Sequence, residues 1–466
     1  MKQPRININW FILCDVYSAT STWLFFYYLR TAIYHYSFSL PPGFYLGGFL
    51  YITGWVSLHF ISGAYEDVYH KSFVNEFFRT LFTCFIGCTA LLFFFILKNP
   101  QGDNFHYYQE FFSLLIPVFF ITLLSRFLFL QFANKQLKKK TVFFNILLIG
   151  TGKNASEFFT SFNNVSNLNA GYTITSFLNI NKTTNSPLFN KLKIYNDINN
   201  IDRIIDNENI EEVIIAVEKN DRELLTSILR ELSDKDVNIK ITPDDVDIIS
   251  GAVRTSNING LPLIDVHSGI LPSWQKNIKR FLDIFISIIF LIILLPLMLY
   301  TAIRTKFSSA ESVFFLQERL GYKGIPFNII KFRSMFKNAE QFGPMLSSSN
   351  DIRITKWGKT MRKWRLDEMP QLWNIIKGDM SLVGPRPERK YYCDLIEKQR
   401  PEYKYLLKVK PGLTSWGMVK FGYASSVDEM IQRMSYDIMY IENISVLLDI
   451  KILLQTVNII LSGNGK

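Results

Sequence analysis

The chain has 466 residues, 48% of them hydrophobic and 15% aromatic, and its 51 Lys and Arg outweigh 40 Asp and Glu for a net charge of +11. That length allows about two to four domains and a core that needs no covalent staple. The composition excludes a disordered chain and a disulfide-rich secreted scaffold, and four cysteines define no disulfide framework.

The averages conceal three unlike parts. Residues 1–140 carry a net charge of +5, residues 141–269 one of −6, and residues 270–466 one of +12. A basic last third points to an anionic partner: a nucleic acid, an anionic lipid or a phosphorylated substrate.

Within 1–140, Phe-rich apolar runs occupy about 10–29, 43–62, 77–97 and 111–130. Each is close to the ~20 residues that cross ~30 Å of hydrocarbon as a helix. The first run lacks a small-residue cleavage site and reads as a signal anchor. Lys2 and Arg5 precede it, Lys71 and Arg79 come after the second run, and Arg126, Lys135 and Lys138 to Lys140 close the fourth. The alternate loops hold only Arg30 and Lys98 as cations, with Asp103 and Glu110. The positive-inside bias therefore places both ends of this block in the cytoplasm, and with them all residues beyond 140 unless another span follows. Cys84 and Cys88 share one helix face and read as small packing residues.

The acidic middle begins with Asn145 to Ile149, a short apolar strand, and then Gly150-Thr151-Gly152-Lys153-Asn154-Ala155, a GxGxxA turn before a helix-like stretch. That order is the fingerprint of a dinucleotide-binding βαβ unit. Further strands are expected at 173–178 and 213–217, a helix near 221–232, and a Rossmann-like α/β domain over about 143–250. The carboxylate that would hold ribose hydroxyls after the second strand is missing, since that strand ends Phe177-Leu178-Asn179. A bound nucleotide and a retained scaffold or regulatory fold both stay open. A short-chain dehydrogenase or epimerase loses its acid/base pair, because none of the 22 tyrosines has Lys four residues on.

Residues 281–303 form one more apolar run. Lys276, Lys279 and Arg280 flank one end, Arg304 and Lys306 the other, and Pro296 should kink or break the helix. A re-entrant helix that enters and leaves by the cytoplasmic face fits both features, and a plain fifth span with a tolerated Pro is the alternative. Asp283 lies three and four residues from Arg280 and Lys279, the spacing of a local helix ion pair.

The basic third holds three clusters. Val313 to Met335 holds two β-rich runs around a Gly-containing turn, which predicts a hairpin. Lys331 and Arg333, two apart, would share one strand face and suit a phosphate or a solvated basic surface. Arg362-Lys363-Trp364-Arg365-Leu366-Asp367-Glu368-Met369-Pro370 places paired carboxylates among cations at a helix start. Asp367 could be an N-cap there, or an ionised nucleophile or metal ligand. Gly384-Pro385-Arg386-Pro387 is a stiff loop that would present Arg386 in one place, as a phosphate clamp or an exposed turn residue.

In this order the motifs resemble those of the bacterial polyprenyl-phosphate sugar-1-phosphate transferases over about residues 274–461. The matching stretches are KRFLD from Lys279, the Pro296 break, VFFLQERLGYKG, IIKFRSM, NDIRIT from Asn350, RLDEMPQLWNIIKGDMSLVGPRPE and KPGLTSWGMV. The four preceding spans and the Rossmann-like domain resemble the large form of that family. The resemblance implies a membrane α-helical bundle at 1–140 and a Rossmann-like, regulatory or scaffold domain at 141–269. It implies an α+β monotopic catalytic domain at 270–466 with a re-entrant helix at about 281–303.

It also implies transfer of a sugar 1-phosphate from a UDP-sugar to undecaprenyl phosphate at the bacterial inner membrane, with UMP released and glycan assembly initiated. Asp367 and Glu368 would be the catalytic dyad and hold Mg2+. Lys331, Arg333, Arg362 and Arg386 would bind phosphates. A homodimer is compatible with the family. Arg365 stands where many relatives have Ser or Thr, and SWGMVKFGYA replaces a GWAQVNGR-type segment. The alternatives are a non-catalytic membrane scaffold or sensor binding a nucleotide at Gly150 to Ala155, and a nucleic-acid binder. The dispersed cations and the membrane placement argue against nucleic acid.

Overall fold

The computed structural model describes residues 5–35, 37, 40, 42–66, 68–98, 104–164, 171–180, 192–217, 221–232, 235, 237–244, 254–255, 261–266, 271–308, 312–336, 339, 343, 345 and 351–461. Lys2, Asp103, Asn350 and residues 245–250, for which the sequence carries expectations, lie outside the described residues. The chain divides into two compact units, one of Met1–Tyr195, Glu208–Ala216 and Lys240–Ile264, the other of Asn196–Asn207, Val217–Ile239 and Asp265–Lys466.

The four apolar runs are helices α1 (Ile8–Tyr34), α2 (Phe44–Ile61), α3 (Phe73–Lys98) and α4 (Asn104–Lys138). Among the described residues, α2, α3, α4 and a later helix, Ser273–Ser308, are long and apolar enough to cross a membrane, which marks the chain as a membrane protein. α1 has 27 residues but a polar seam, with Asp15, Ser18 and Thr22 buried. Asp15 pairs with Arg126 at 2.5 Å, Ser18 Oγ lies 3.1 Å from Thr122 Oγ1, and Arg30 pairs with Glu110 at 3.0 Å. Among lipid tails, burial of apolar surface does not choose a partner helix, so such polar contacts set which helices pair and in what register.

Lys71, Arg79 and Arg126, expected as flanking topology markers, also converge on one buried carboxylate. They lie 3.7, 3.2 and 3.8 Å from Glu76. Charges this deep stay only when paired. Cys84 and Cys88 pack with Trp23, Tyr51, Trp55 and Val118.

The expected strands appear as β1 (Phe144–Gly150), β2 (Tyr172–Asn179) and β4 (Glu212–Ala216), with α5 (Gly152–Asn164) directly after β1. With β3 (Lys193–Tyr195), β5 (Asn238–Ile241), β6 (Arg254–Thr255) and β7 (Pro262–Asp265) they form one seven-stranded sheet in the order β3-β2-β1-β4-β5-β7-β6. β1 pairs in parallel with β2 and β4, while β6 and β7 are antiparallel. β1 is buried along its whole length, which its continuous apolar run requires. Gly150 has a packing reason: a Cβ there would lie 2.6 Å from the Ala216 carbonyl oxygen and 2.8 Å from Ala155 Cβ. Helix α7 (Arg222–Glu231) matches the helix expected near 221–232, and α6 (Ile201–Glu208) is a further helix with no counterpart among the expected ones.

In the second unit α8 (Ser273–Ser308) runs 36 residues, with Pro296 inside it and not ending it. Asp283, Ser287, Thr301 and Thr305 are its buried positions, and Phe285, Ile292, Ile293 and Leu299 are among its exposed ones. The polarity of a water-soluble helix is reversed, as a helix exposed to lipid requires. Asp283 does not pair with Lys279 or Arg280. Its Oδ1 accepts the Leu382 N–H at 3.0 Å, Lys279 pairs with Asp449 at 2.6 Å, and Arg280 donates to the Ile375 and Ile376 carbonyls at 2.7 and 2.9 Å.

The expected hairpin is β8 (Phe314–Leu320) and β9 (Pro326–Phe332), antiparallel, with Lys331 opposite Phe315. Then come α9 (Lys356–Lys363), a 3-10 turn at Leu366–Glu368, α10 (Gln371–Lys377), β10 (Ser381–Val383), α11 (Lys390–Gln399), β11 (Gly412–Thr414), α12 (Trp416–Lys420), α13 (Val427–Glu442) and α14 (Val446–Leu461). β10 and β11 pair in parallel. A core of Leu372, Ile375, Met380, Ile396, Tyr440 and Ile452 binds these short elements together.

Candidate active site

The two adjacent carboxylates sit on the turn between α9 and α10. Thr355 caps α9, its Oγ1 accepting the Gly358 N–H at 2.9 Å. Arg365 then takes a left-handed φ of 54° and redirects the chain into the Leu366–Glu368 turn. Asp367 and Glu368 are both buried. Asp367 is not the cap of α10, because Pro370 holds that position without a side-chain bond. A 3-10 turn places neighbouring side chains 120° apart, so adjacent carboxylates reach different surroundings.

Glu368 is ringed by cations. Lys331 Nζ lies 3.1 Å and Arg386 3.5 Å from Oε1, and Arg365 lies 3.4 Å from Oε2. No ion pair of this kind reaches the Asp367 carboxylate among the described residues. The cations gathered here act chiefly on Glu368. Burial pushes its pKa up, but Lys331, Arg386 and Arg365 together outweigh burial and hold it well below the usual carboxylate range. Asp367 moves the other way: burial, then the Glu368 charge, raise its pKa against Lys331 and Arg362. Burial lowers the Lys331 pKa against the pull of Glu368. For Arg386 burial also acts downward, but Glu368, Tyr423 and Glu388 reverse it and hold the guanidinium firmly charged.

All four cations expected to bind phosphate line the cavity that holds the dyad, of about 920 Å³. Only Lys331 and Arg386 reach Glu368. Arg362 Nε donates to Ser334 Oγ at 3.0 Å, and Arg333 donates to the Ser312 carbonyl and hydroxyl at 3.0 Å each. The Gly384 to Pro387 loop is tied to its neighbours through the backbone. Gly384 N–H donates to Thr414 O at 3.0 Å and Gly412 N–H to Pro385 O at 2.9 Å, and a Cβ on Gly384 would lie 2.3 Å from the Lys410 carbonyl oxygen.

Several site residues are not evident from the sequence. Arg365 stands out there only as a departure from relatives, and Tyr423 lies unremarked inside the other departing segment. A second buried layer joins Glu388 to Arg433 at 2.6 Å and to Arg319 at 3.2 Å. Nothing in residue spacing reveals these pairs, because each joins side chains from distant elements.

A profile of the bacterial sugar transferase family matches residues 274–463, and a CoA-binding domain profile matches residues 61–243. UDP-N-acetylgalactosamine-undecaprenyl-phosphate N-acetylgalactosaminephosphotransferase of Aeromonas hydrophila is 43% identical over 47% of this chain and 51% of its own length. UDP-glucose:undecaprenyl-phosphate glucose-1-phosphate transferase of Klebsiella pneumoniae is 33% identical over 53% and 54%. The transferase of the same description from Caulobacter vibrioides is 37% identical over 40% of this chain and 71% of its own length. The chain thus spans about half the length of the first two relatives and most of the third. The matched stretch takes in the dyad, the hairpin and the stiff Arg386 loop, and on that ground the chain belongs to the bacterial sugar transferase family.

Proposed function

We propose that this chain transfers a sugar 1-phosphate from a UDP-sugar to undecaprenyl phosphate, releases UMP, and so initiates assembly of an exopolysaccharide, capsule or O-antigen-type glycan. One observation carries the reading: in a buried dyad, Glu368 gathers three cations while the Asp367 carboxylate has no ion pair among the described residues. Asp367 is the nucleophile. One of its oxygens attacks the sugar-bearing phosphorus, the P–O bond to UMP breaks, and UMP leaves with that electron pair. The phosphosugar is then esterified to Asp367. An oxygen of undecaprenyl phosphate attacks the same phosphorus and displaces the carboxylate, which restores Asp367.

Both steps shift negative charge among phosphate oxygens, so the protein's task is positioning and neutralisation. Lys331 and Arg386 serve this task beside the dyad, Arg333 and Arg362 on the walls. The residues also suit Mg2+, which binds through one or two carboxylates and the substrate's own phosphates. Asp367, with Glu368 beside it, would hold the ion. When bound it would neutralise charge on the diphosphate. α8 lies re-entrant in the inner membrane in this reading, with the cavity on the cytoplasmic face.

The test uses the full-length chain in membranes, undecaprenyl phosphate, and UDP-glucose, UDP-galactose and both UDP-N-acetylhexosamines. Asp367→Asn should abolish UMP release from the donor that the unaltered chain uses. Undiminished release by this variant would overturn the assignment.

A further inference from the structure

The loop between α12 and α13 brings one side chain to the dyad from far along the chain. Tyr423 follows Gly422, whose φ of +97° and open surroundings show that the turn itself requires glycine. Hydrogen bonds from the Phe421 and Gly422 N–H groups to Gly417 O, at 2.9 and 3.2 Å, fix the start of the loop. The Tyr423 ring centroid lies 5.0 Å from Arg365 Cζ and 5.4 Å from Arg386 Cζ. These are the two guanidiniums that hold Glu368, one at each carboxylate oxygen. Arg365 Nε is buried with no hydrogen-bond partner among the described residues.

We propose that Tyr423 is a positioning residue, whose ring keeps Arg365 and Arg386 on Glu368 and so fixes the charge around the dyad. The proposal rests on the sugar-phosphate transfer reading above. Two guanidiniums crowded around one carboxylate repel each other. A shared aromatic ring attracts both, and more strongly when water is excluded. Lys331 needs no such support, because strand pairing holds β9 in place. Cations already in position when charge develops accelerate the step, whereas ground-state binding of the donor also draws on Arg333, Arg362 and Lys331. Losing the ring should therefore lower kcat and spare KM.

The experiment measures UMP release by the full-length chain in detergent with undecaprenyl phosphate and the same donor panel. Tyr423→Leu should lose about tenfold in kcat, with the donor KM changed by less than about threefold. Tyr423→Phe, which keeps the ring, should match the unaltered chain. Arg365→Met should also lose kcat at constant KM, and the double variant should lose less than the two single losses combined, because part of the Tyr423 effect acts through Arg365. Additive losses, or Phe as poor as Leu, would overturn the proposal while the transfer reading stands. An unaltered chain that releases UMP from no donor would remove the transfer reading and this proposal together. Should Tyr423→Leu not fold, Tyr423→Phe and Arg365→Met decide: the first must keep kcat, and the second must lose it at constant KM.

Discussion

Asp437, on α13 beneath the cavity, shows how a single buried carboxylate can weaken the fold that surrounds it. Its Oδ1 accepts the Gly417 N–H at 2.9 Å. Burial raises its pKa to about 6, against the opposing pull of Arg433 and this hydrogen bond. A folded-state value above the unfolded one means that the native state binds the proton more tightly. Stability then falls as pH rises from about 4 through about 6, and the full penalty of roughly 3 kcal/mol applies above that window. Asp437→Asn keeps the oxygen acceptor and removes the charge. It should raise the unfolding midpoint at pH 8, with the advantage shrinking toward pH 4. A lower midpoint at pH 8 would show that the Arg433 attraction outweighs burial. The residues of the site were legible in part. Motif order pointed to Asp367, Glu368 and four cations, and all six line one cavity. Their pairing was not legible, because it depends on which faces of β9, the dyad turn and the Arg386 loop meet. Charge proximity along the chain suggested an ionised Asp367; of those chain neighbours only Arg365 forms an ion pair with the dyad, and it goes to Glu368, where Lys331 and Arg386 join it from distant segments.

At the scale of elements, α8 is where sequence spacing misled. Three- and four-residue spacing says that Lys279, Arg280 and Asp283 are neighbours on a helix, and does not say what lies opposite them. The structure places β10 opposite Asp283 and the end of α10 opposite Arg280. Asp283 is thereby a buried acceptor for the backbone of the strand that leads into the Gly384 to Pro387 loop. Asp283→Ala would leave the Leu382 N–H without its partner, at a cost of about 1–3 kcal/mol. Asp283→Asn keeps an acceptor and should cost less. UMP release should fall in the same order, since Arg386 lies on the loop that β10 feeds. Equal melting points and equal activity for the two variants would show that Leu382 is not held this way. Pro296 carried a sound expectation of local disturbance, yet the helix runs through it. A helix can tolerate Pro where bending is accommodated by its surroundings.

At the scale of the whole catalytic unit, the contacts of α8 bear on its path relative to the membrane. Its first part is tied to α10, β10 and α14 through Arg280, Asp283 and Lys279. Its last part meets α9: Thr305 Oγ1 contacts Met361 sulfur at 3.6 Å, and Arg304 lies 5.1 Å over the Trp357 ring. Between them lies a stretch with Ile292, Ile293, Leu295 and Leu299 exposed. A helix of 36 residues is roughly 54 Å long, more than the ~30 Å of a hydrocarbon core. If it crossed as a straight span, the polar body held at both its ends would have to straddle the bilayer. An isolated charge in that layer costs several kcal/mol, and the body carries the dyad and its cations. The re-entrant path proposed above would keep the two ends of α8 on one side, in line with the basic flanks on both sides of the run. Single cysteines at Lys276 and Lys306, in a chain with Cys14, Cys84, Cys88 and Cys393 replaced, test this directly. In inside-out vesicles an impermeant thiol reagent should label both positions, and in intact cells neither. Labelling of one position from each side would make α8 a plain span and would leave its contacts with α9 and α10 without a physical basis.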